Sequence, residues 1–154
     1  MSRKVKALAA AALVLAAASP ASAIGCYERT YAPAHLQNNP AQSVAAIILT
    51  SDTGEAPAQL EPGEFEMRLV VQDRRTRLWH ARNAVCAARE GRIACGLESD
   101  GGAFTLVQAR GESVMLRTDG ELRVGDEDAL MEFGGRRSDD NAFIMHPAAC
   151  RRAG

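Results

Sequence analysis

The stretch Cys-Ala-Ala-Arg-Glu-Gly-Arg-Ile-Ala-Cys, residues 86–95, decides the fold because it has a cysteine at each end and a turn at its centre. Glu90-Gly91 suits a two-residue hairpin turn, since glycine readily adopts the positive φ that such turns require. Counting outward from the turn, Cys86 faces Cys95 at a non-hydrogen-bonded pair. Cα atoms at such a pair lie roughly 4.5 Å apart, which a disulfide tolerates. The stretch therefore predicts a disulfide-linked β-hairpin.

Two further cysteines, Cys26 and Cys150, lie before and after this hairpin. An even number of cysteines in an exported chain is typical of disulfides. We expect Cys26 to pair with Cys150, while the two other connectivities stay open because sequence cannot fix them. The chain has no CxxC pair, which zinc knuckles and thioredoxin-type sites use. The cysteines thus predict two structural disulfides.

The first 23 residues have the organisation of a secretory signal peptide. A basic region, residues 1–6, precedes an apolar run, residues 7–18, and Ala21-Ser22-Ala23 fits a small-x-small cleavage site. We expect cleavage before Ile24 and a periplasmic or secreted location. A lipoprotein-type cleavage before Cys26 is the alternative, although alanine stands where leucine is usual in that motif.

The mature chain, residues 24–154, is the size of one β-rich domain with a core of its own. Removing Arg3, Lys4 and Lys6 with the signal peptide changes the formal net charge from −1 to −4 and leaves no lysine. Schiff-base and Ser-Lys chemistry are therefore excluded. A mildly acidic chain with few aromatic residues also argues against nucleic-acid binding. No segment approaches the roughly 18 apolar residues of a transmembrane helix.

Short alternating segments between turn signals predict strands along most of the mature chain. In one of them, Phe65, Met67, Leu69 and Val71 alternate with mostly polar residues, as in a strand with one buried face. About eight such strands predict an all-β antiparallel meander that closes into a small barrel or sandwich. Residues 33–38 are expected to form one short helical turn.

We expect one further hairpin around Thr118-Asp119-Gly120. A three-residue loop with Gly120 in the left-handed region would set Leu116 opposite Leu122 and keep the alternation of both strands. A two-residue Asp-Gly loop would place Arg117 opposite Leu122 and spoil that alternation.

The motifs of common enzymes are absent. The chain has no GxSxG elbow, no glycine-rich phosphate loop and no HExxH motif, and Cys-His catalysis would need a free thiol. We therefore predict a non-enzymatic protein with no catalytic residue, cofactor or metal. A hydrolase with clustered carboxylates and histidines is the alternative.

Two turns are candidate contact surfaces. The glycine-rich turn 99–104 bends sharply, and the turn 73–77 lies in the basic segment 63–92, which suits an anionic partner. The candidate binding residues are Ser99, Asp100, Gly101, Gly102 and Phe104 in the first turn, and Arg74, Arg75 and Arg77 in the second. We predict a domain that binds a protein or an anionic envelope component. The alternative is a carrier with a small molecule inside the barrel.

The segments CYERTY (26–31) and HLQNNPAQSV (35–44), with DGGAF (100–104) after two central cysteines, resemble small exported proteins of proteobacteria. This resemblance implies export and no particular activity. The architecture also resembles the periplasmic inhibitors of C-type lysozyme, small disulfide-tied β-barrels that insert an SGxxY loop into the enzyme's cleft. The nearest stretch, residues 99–104, interrupts the Ser-Gly pair and has Phe104 at the tyrosine position. The resemblance therefore implies the architecture only, and an inhibitor-like mode of binding stays one form of the predicted function.

Overall fold

A computed structural model describes residues 25–54, 59–136 and 138–149 of the chain. The predicted signal peptide, residues 1–23, lies outside the described residues, and so does Cys150. Within the described ranges, no helix has the length and apolar character needed to cross a membrane.

The described chain forms ten strands and one helix. In chain order they are β1 (Cys26–Thr30), α1 (Pro33–Asn38), β2 (Val44–Thr50), β3 (Glu64–Asp73), β4 (Trp79–Arg89), β5 (Arg92–Leu97), β6 (Ala103–Gln108), β7 (Val114–Thr118), β8 (Glu121–Asp126), β9 (Ala129–Gly134) and β10 (Ala142–Pro147). Proline at the first helical position of α1 fits its fixed φ and its missing amide hydrogen.

Eight of the strands close into an antiparallel barrel in the order β1-β10-β7-β6-β5-β4-β3-β2. The predictions of an all-β class and of an antiparallel barrel are confirmed, and the structure decides for a barrel over a sandwich. Strands β1 to β6 each pair with the next strand in sequence. The meander closes because β10 pairs with both β7 and β1.

Apolar side chains from the inner faces of the strands fill the barrel. Met67, Leu69, Phe104, Leu116 and Phe143 all belong to one buried cluster. The interior of an eight-stranded barrel has room for its own side chains or for one small ligand. In this barrel the buried apolar cluster lies between the strands.

The hairpin around Glu90-Gly91 has the predicted register. Both turn residues have positive φ, 43° and 79°, and Cys86 lies opposite Cys95 in a disulfide with a Cα–Cα distance of 4.1 Å. Closing this short loop stabilises the fold by about 2.7 kcal/mol on chain-entropy reasoning. The second predicted disulfide, Cys26–Cys150, includes a residue outside the described ranges and stays a prediction. No cysteine of the described ranges is a free thiol.

The predicted hairpin around residues 118–120 is wrong. Strand β7 pairs with β6 and β10, so that Leu116 lies opposite Leu106 and Phe143. Leu122 belongs to β8, which pairs with β9 in a separate two-stranded sheet. Alternation fixes which face of a strand is buried, but it does not fix which strand lies beside it.

The hairpin β8–β9 covers one end of the barrel, the end where β1 finishes and β2 begins. We call it the helix end, because α1 lies there, and the antiparallel order also places the turns 74–78 and 98–102 there. Side chains on the inner face of the hairpin join the barrel core, with the Phe133 ring packed edge-on against Phe143 at 6.0 Å. The buried apolar side chains of the hairpin are Leu122, Val124, Met131 and Phe133.

Candidate functional site

The two glycines of the turn 99–104 allow the close approach of strand β8. The Arg123 N–H donates to the Gly101 carbonyl at 2.8 Å, and the Leu97 N–H donates to the Gly102 carbonyl at 2.9 Å. A Cβ atom at Gly102, whose φ is +93°, would lie 2.5 Å from the Glu121 carbonyl oxygen. The glycines are therefore required by packing between the turn and the hairpin, since no other residue fits this close to a neighbouring main chain.

The same turn offers only its tip to a partner. Ser99 and Asp100 are exposed, with φ values of 51° and 57°. Phe104, which occupies the tyrosine position of the inhibitor loop, is fully buried in the barrel. In this structure Phe104 is a core residue and not a contact residue, and Gly101 is buried as well. If the turn entered a partner's cleft, the Phe104 ring would stay buried in the barrel and would not contact the partner.

The arginine-rich turn divides into one structural arginine and two free ones. Arg74 is half-buried and its Nη1 donates to the carbonyl oxygens of Asn39 at 3.1 Å and Gln42 at 3.2 Å. Arg75 and Arg77 are exposed and make no ion pair within the described residues. Of the three predicted arginines, Arg75 and Arg77 are thus available to a partner, while Arg74 holds the loop before β2.

Exposed apolar side chains lie beside this turn. Leu78, Trp79 and Leu130 are 57%, 43% and 43% exposed, and all three lie at the helix end. The sequence analysis did not identify Leu78 or Leu130 as candidate contact residues. Because Leu78 directly follows the basic turn, its exposure could have been predicted from the sequence. The exposure of Leu130 depends on the β8–β9 pairing, which the alternation pattern did not reveal.

A groove of about 540 Å³ runs along the same end. One wall is the loop Pro40–Ser43, the second is the turn Asp73–Arg75, and the third is β9 at Leu130–Glu132. Leu78 adjoins the second wall, because the Asp73 N–H donates to its carbonyl at 2.9 Å. We call the groove together with Arg75, Arg77, Leu78, Trp79 and Leu130 the helix-end surface.

A buried carboxylate fixes the first wall of the groove. Asp140 is fully buried and accepts hydrogen bonds from the Ser43 N–H and hydroxyl, both at 2.6 Å, from the Val44 N–H at 3.4 Å and from the Ser138 hydroxyl at 3.3 Å. Burial raises the pKa of Asp140, and the hydrogen bonds from Ser43 oppose that shift. The carboxylate thereby ties the chain that leaves the hairpin to the start of β2.

Two side chains of β4 contact main-chain carbonyl groups of the hairpin β8–β9. The His80 Nδ1 lies 2.8 Å from the Ala129 carbonyl oxygen, and the Arg82 Nη2 donates to the Gly125 carbonyl at 2.5 Å. Because a carbonyl only accepts, the His80 proton sits on Nδ1. The His80 Nε2 is buried and has no hydrogen-bond partner in the described part of the chain. These contacts position β9 against the groove.

A serine and a histidine lie in contact at the opposite end of the barrel, but in the wrong arrangement for a nucleophile. Ser113 Oγ is 2.8 Å from His146 Nδ1, and Arg29 Nη1 is 3.3 Å from His146 Nε2. The guanidinium is always protonated, so it donates to Nε2 and leaves the histidine proton on Nδ1, pointing at the serine. His146 therefore cannot accept the serine proton, which nucleophilic catalysis requires.

No set of three or more histidine, cysteine, aspartate or glutamate side chains within the described ranges is grouped to hold a metal ion. Comparison with known proteins gives no match: no family model, no curated protein and no solved structure is similar to this chain.

Proposed function

We propose that this protein is a non-enzymatic binding domain of the periplasm or the extracellular space, and that its helix-end surface contacts a partner polypeptide. The observation that carries the proposal is that exposed Leu130 and Arg75 line one groove at the helix end, where Leu78 and Trp79 are exposed as well. Single exposed apolar residues are ordinary, but a cluster with a polar rim is typical of interaction sites.

The composition of this surface favours a protein over a small molecule. Aromatic and arginine side chains are enriched at protein interfaces, where they contribute most of the binding energy. Apolar side chains of the protein pack inside the barrel, and the groove lies at its surface. The arrangement at His146 also supports a binding role, because the one contact between a serine hydroxyl and a histidine in the described chain cannot activate the serine.

Photo-crosslinking inside cells tests the proposal. A benzoylphenylalanine replaces Trp79 at the helix end, and a matched variant carries it at Arg89, the exposed opposite end of the same strand. We expect the Trp79 variant to give a discrete protein adduct on irradiation and the Arg89 variant to give none, because only the first probe lies on the helix-end surface. Mass spectrometry of the adduct identifies the partner's chemical class.

A charge-reversed control strengthens this test. Adding Arg75→Glu and Arg77→Glu to the Trp79 crosslinking variant is expected to abolish the adduct, since both side chains are exposed and reversal of their charge repels an acidic partner. Equal crosslinking at both ends of β4 would contradict the proposal. An adduct that contains lipopolysaccharide and no protein would assign the surface to an anionic envelope component instead.

Export is the second part of the proposal, and intact mass measures it. Protein recovered from the periplasm is expected to begin at Ile24 and to contain no free thiol, with Cys26 linked to Cys150 and Cys86 to Cys95. Non-reducing peptide mapping gives both linkages. A diacylated Cys26 would instead make the protein a membrane-anchored lipoprotein, and an unprocessed N-terminus would refute export.

A further inference from the structure

We propose that the outer edge of β9 binds an extended acidic segment of the partner, which adds as a third strand to the β8–β9 sheet. The inference rests on the proposed function and specifies how the helix-end surface recognises its partner. Strand addition of this kind obtains its affinity from main-chain hydrogen bonds and its specificity from the side chains beside them.

The barrel itself offers no edge for such pairing, because closure leaves every one of its eight strands with two neighbours. The small sheet has two outer edges. The edge of β8 is engaged by the turn 98–102, since the Arg123 N–H donates to the Gly101 carbonyl at 2.8 Å. The edge of β9 is therefore the open sheet edge within the described residues.

The direction of the main-chain groups on β9 follows from this contact. Arg123 lies opposite Glu132 in the register of the hairpin. The Arg123 N–H points away from β9, so the pair is a non-hydrogen-bonded one and the Glu132 N–H and C=O point away from β8. Leu130, two residues earlier, has the same orientation. Within the described ranges, no hydrogen bond reaches the main chain of Leu130 or Glu132 from outside the hairpin.

These main-chain groups face the groove rather than open solvent. Leu130, Met131 and Glu132 form one of its walls, and the loop Pro40–Ser43 and the turn Asp73–Arg75 stand opposite. Adjacent strands lie about 4.8 Å apart, so a strand paired with β9 occupies the groove itself. The exposed Leu130 side chain then contacts the side chains of that strand.

The charges around the groove select an acidic segment. Arg75 lines the groove, is exposed and has no ion-pair partner in the described chain. The Glu132 carboxylate lies 3.2 Å from Arg123 Nε, and the Asp73 Oδ1 accepts the N–H groups of Arg75 and Thr76, so both acids are already compensated.

Selection of peptides from a random dodecapeptide display library on the purified mature protein tests this inference. We expect enrichment of sequences with Asp or Glu at alternate positions. Binding of a synthetic selected peptide is followed by the fluorescence of Trp79, the single tryptophan of the chain.

Glu132→Pro deletes only the outward N–H and keeps the hydrogen bonds between β8 and β9. We therefore expect this variant to bind the peptide about tenfold more weakly, equivalent to the loss of one main-chain hydrogen bond. The matched Glu132→Thr keeps the N–H and should bind within about threefold.

A second series alters the peptide and does not depend on folding of the proline variant. N-methylation of alternate amides of the peptide is expected to abolish binding when the methylated amides face β9 and to leave it intact when they face away. Absence of any enriched peptide, or equal binding by Glu132→Pro and Glu132→Thr together with insensitivity to N-methylation, would overturn the inference.

The outcomes separate this inference from the function on which it rests. In one outcome, selected peptides bind Glu132→Pro normally and yet fail to bind Arg75→Glu and Leu78→Ser. That result would support the helix-end surface as the binding site and rule out strand addition to β9. Concentration-dependent dimerisation without peptide, abolished by Glu132→Pro, would assign the edge to a second copy of the chain and overturn the proposed partner segment.

Discussion

Replacing Asp140 by alanine is expected to lower the free energy of unfolding by about 3 kcal/mol. The carboxylate accepts two hydrogen bonds from Ser43 and one from the Val44 N–H, where the loop that forms the first wall of the groove meets β2. Alanine leaves buried main-chain donors without an acceptor, which costs more than the net value of the bonds themselves. Urea denaturation of the purified variants at pH 7 measures the change.

The matched variant Asp140→Asn keeps an acceptor of the same shape and is expected to lose about 1 kcal/mol. It also isolates the titration of the carboxyl. The pKa of Asp140 is raised in the folded protein, so the folded state holds this proton more tightly than the unfolded state. The stability that this tighter proton binding adds to the free energy of unfolding is complete below the unfolded pKa near 4. It is lost as the pH rises through the folded pKa of Asp140. The stability of the wild type minus that of Asp140→Asn should therefore fall as the pH rises from about 4.

A stability difference between the wild type and Asp140→Asn that stays constant across this pH range would show that the carboxyl does not titrate as its burial requires. A loss smaller than about 1 kcal/mol in Asp140→Ala would show that water reaches Ser43 and Val44, and that Asp140 does not hold the wall of the groove.

Gly125→Ala is expected to cost about 4 kcal/mol and to detach the hairpin β8–β9 from the barrel end. Gly125 has a φ of +118°, which residues with a Cβ atom rarely adopt. The added Cβ would lie 2.2 Å from the Ala129 carbonyl oxygen and 3.1 Å from His80 Nδ1. The new atom thus displaces the carbonyl that His80 holds. Thermal unfolding measures the cost, and hydrogen exchange of the β8–β9 amides reports the detachment.

Gly111→Ala is the matched control, because Gly111 also has a positive φ, +60°, but has open space around its Cα. Only the backbone penalty applies there, so we expect a loss of about 1 kcal/mol and unchanged exchange in the hairpin. Equal effects of the two substitutions would mean that the backbone conformation, and not the contact with Ala129 and His80, limits position 125.

The stapled hairpin could be predicted from sequence because its information is local. A turn residue with the required φ fixes the register of the strands on either side, and the cysteines confirm that register. The barrel core followed from alternation for the same reason, since residues two apart on a strand share a face. Both arguments use neighbours in the chain.

The candidate site was predicted only in part, because it depends on contacts between distant segments. The arginine-rich turn was found from its charge, but the division between the structural Arg74 and the free Arg75 and Arg77 depends on the loop at residues 39–42. The mistaken pairing of β7 with β8 hid the edge of β9 and the exposure of Leu130. Likewise, Phe104 was assigned to the contact surface of the turn 99–104, although it shares one face of β6 with Leu106 and both are buried in the barrel.

The insertion of β8–β9 has a consequence for how this domain can diversify. Strands β7 and β10 are neighbours in the barrel, and the Thr118 N–H already meets the Asn141 carbonyl at 3.0 Å where the hairpin leaves and returns. The barrel is closed by the pairing of β7 with β10, whether or not the hairpin keeps its sequence. Substitutions on the outward side of the hairpin therefore need not change the register of any of the eight barrel strands. The eight-stranded frame and the outward side of the hairpin can then evolve under separate constraints.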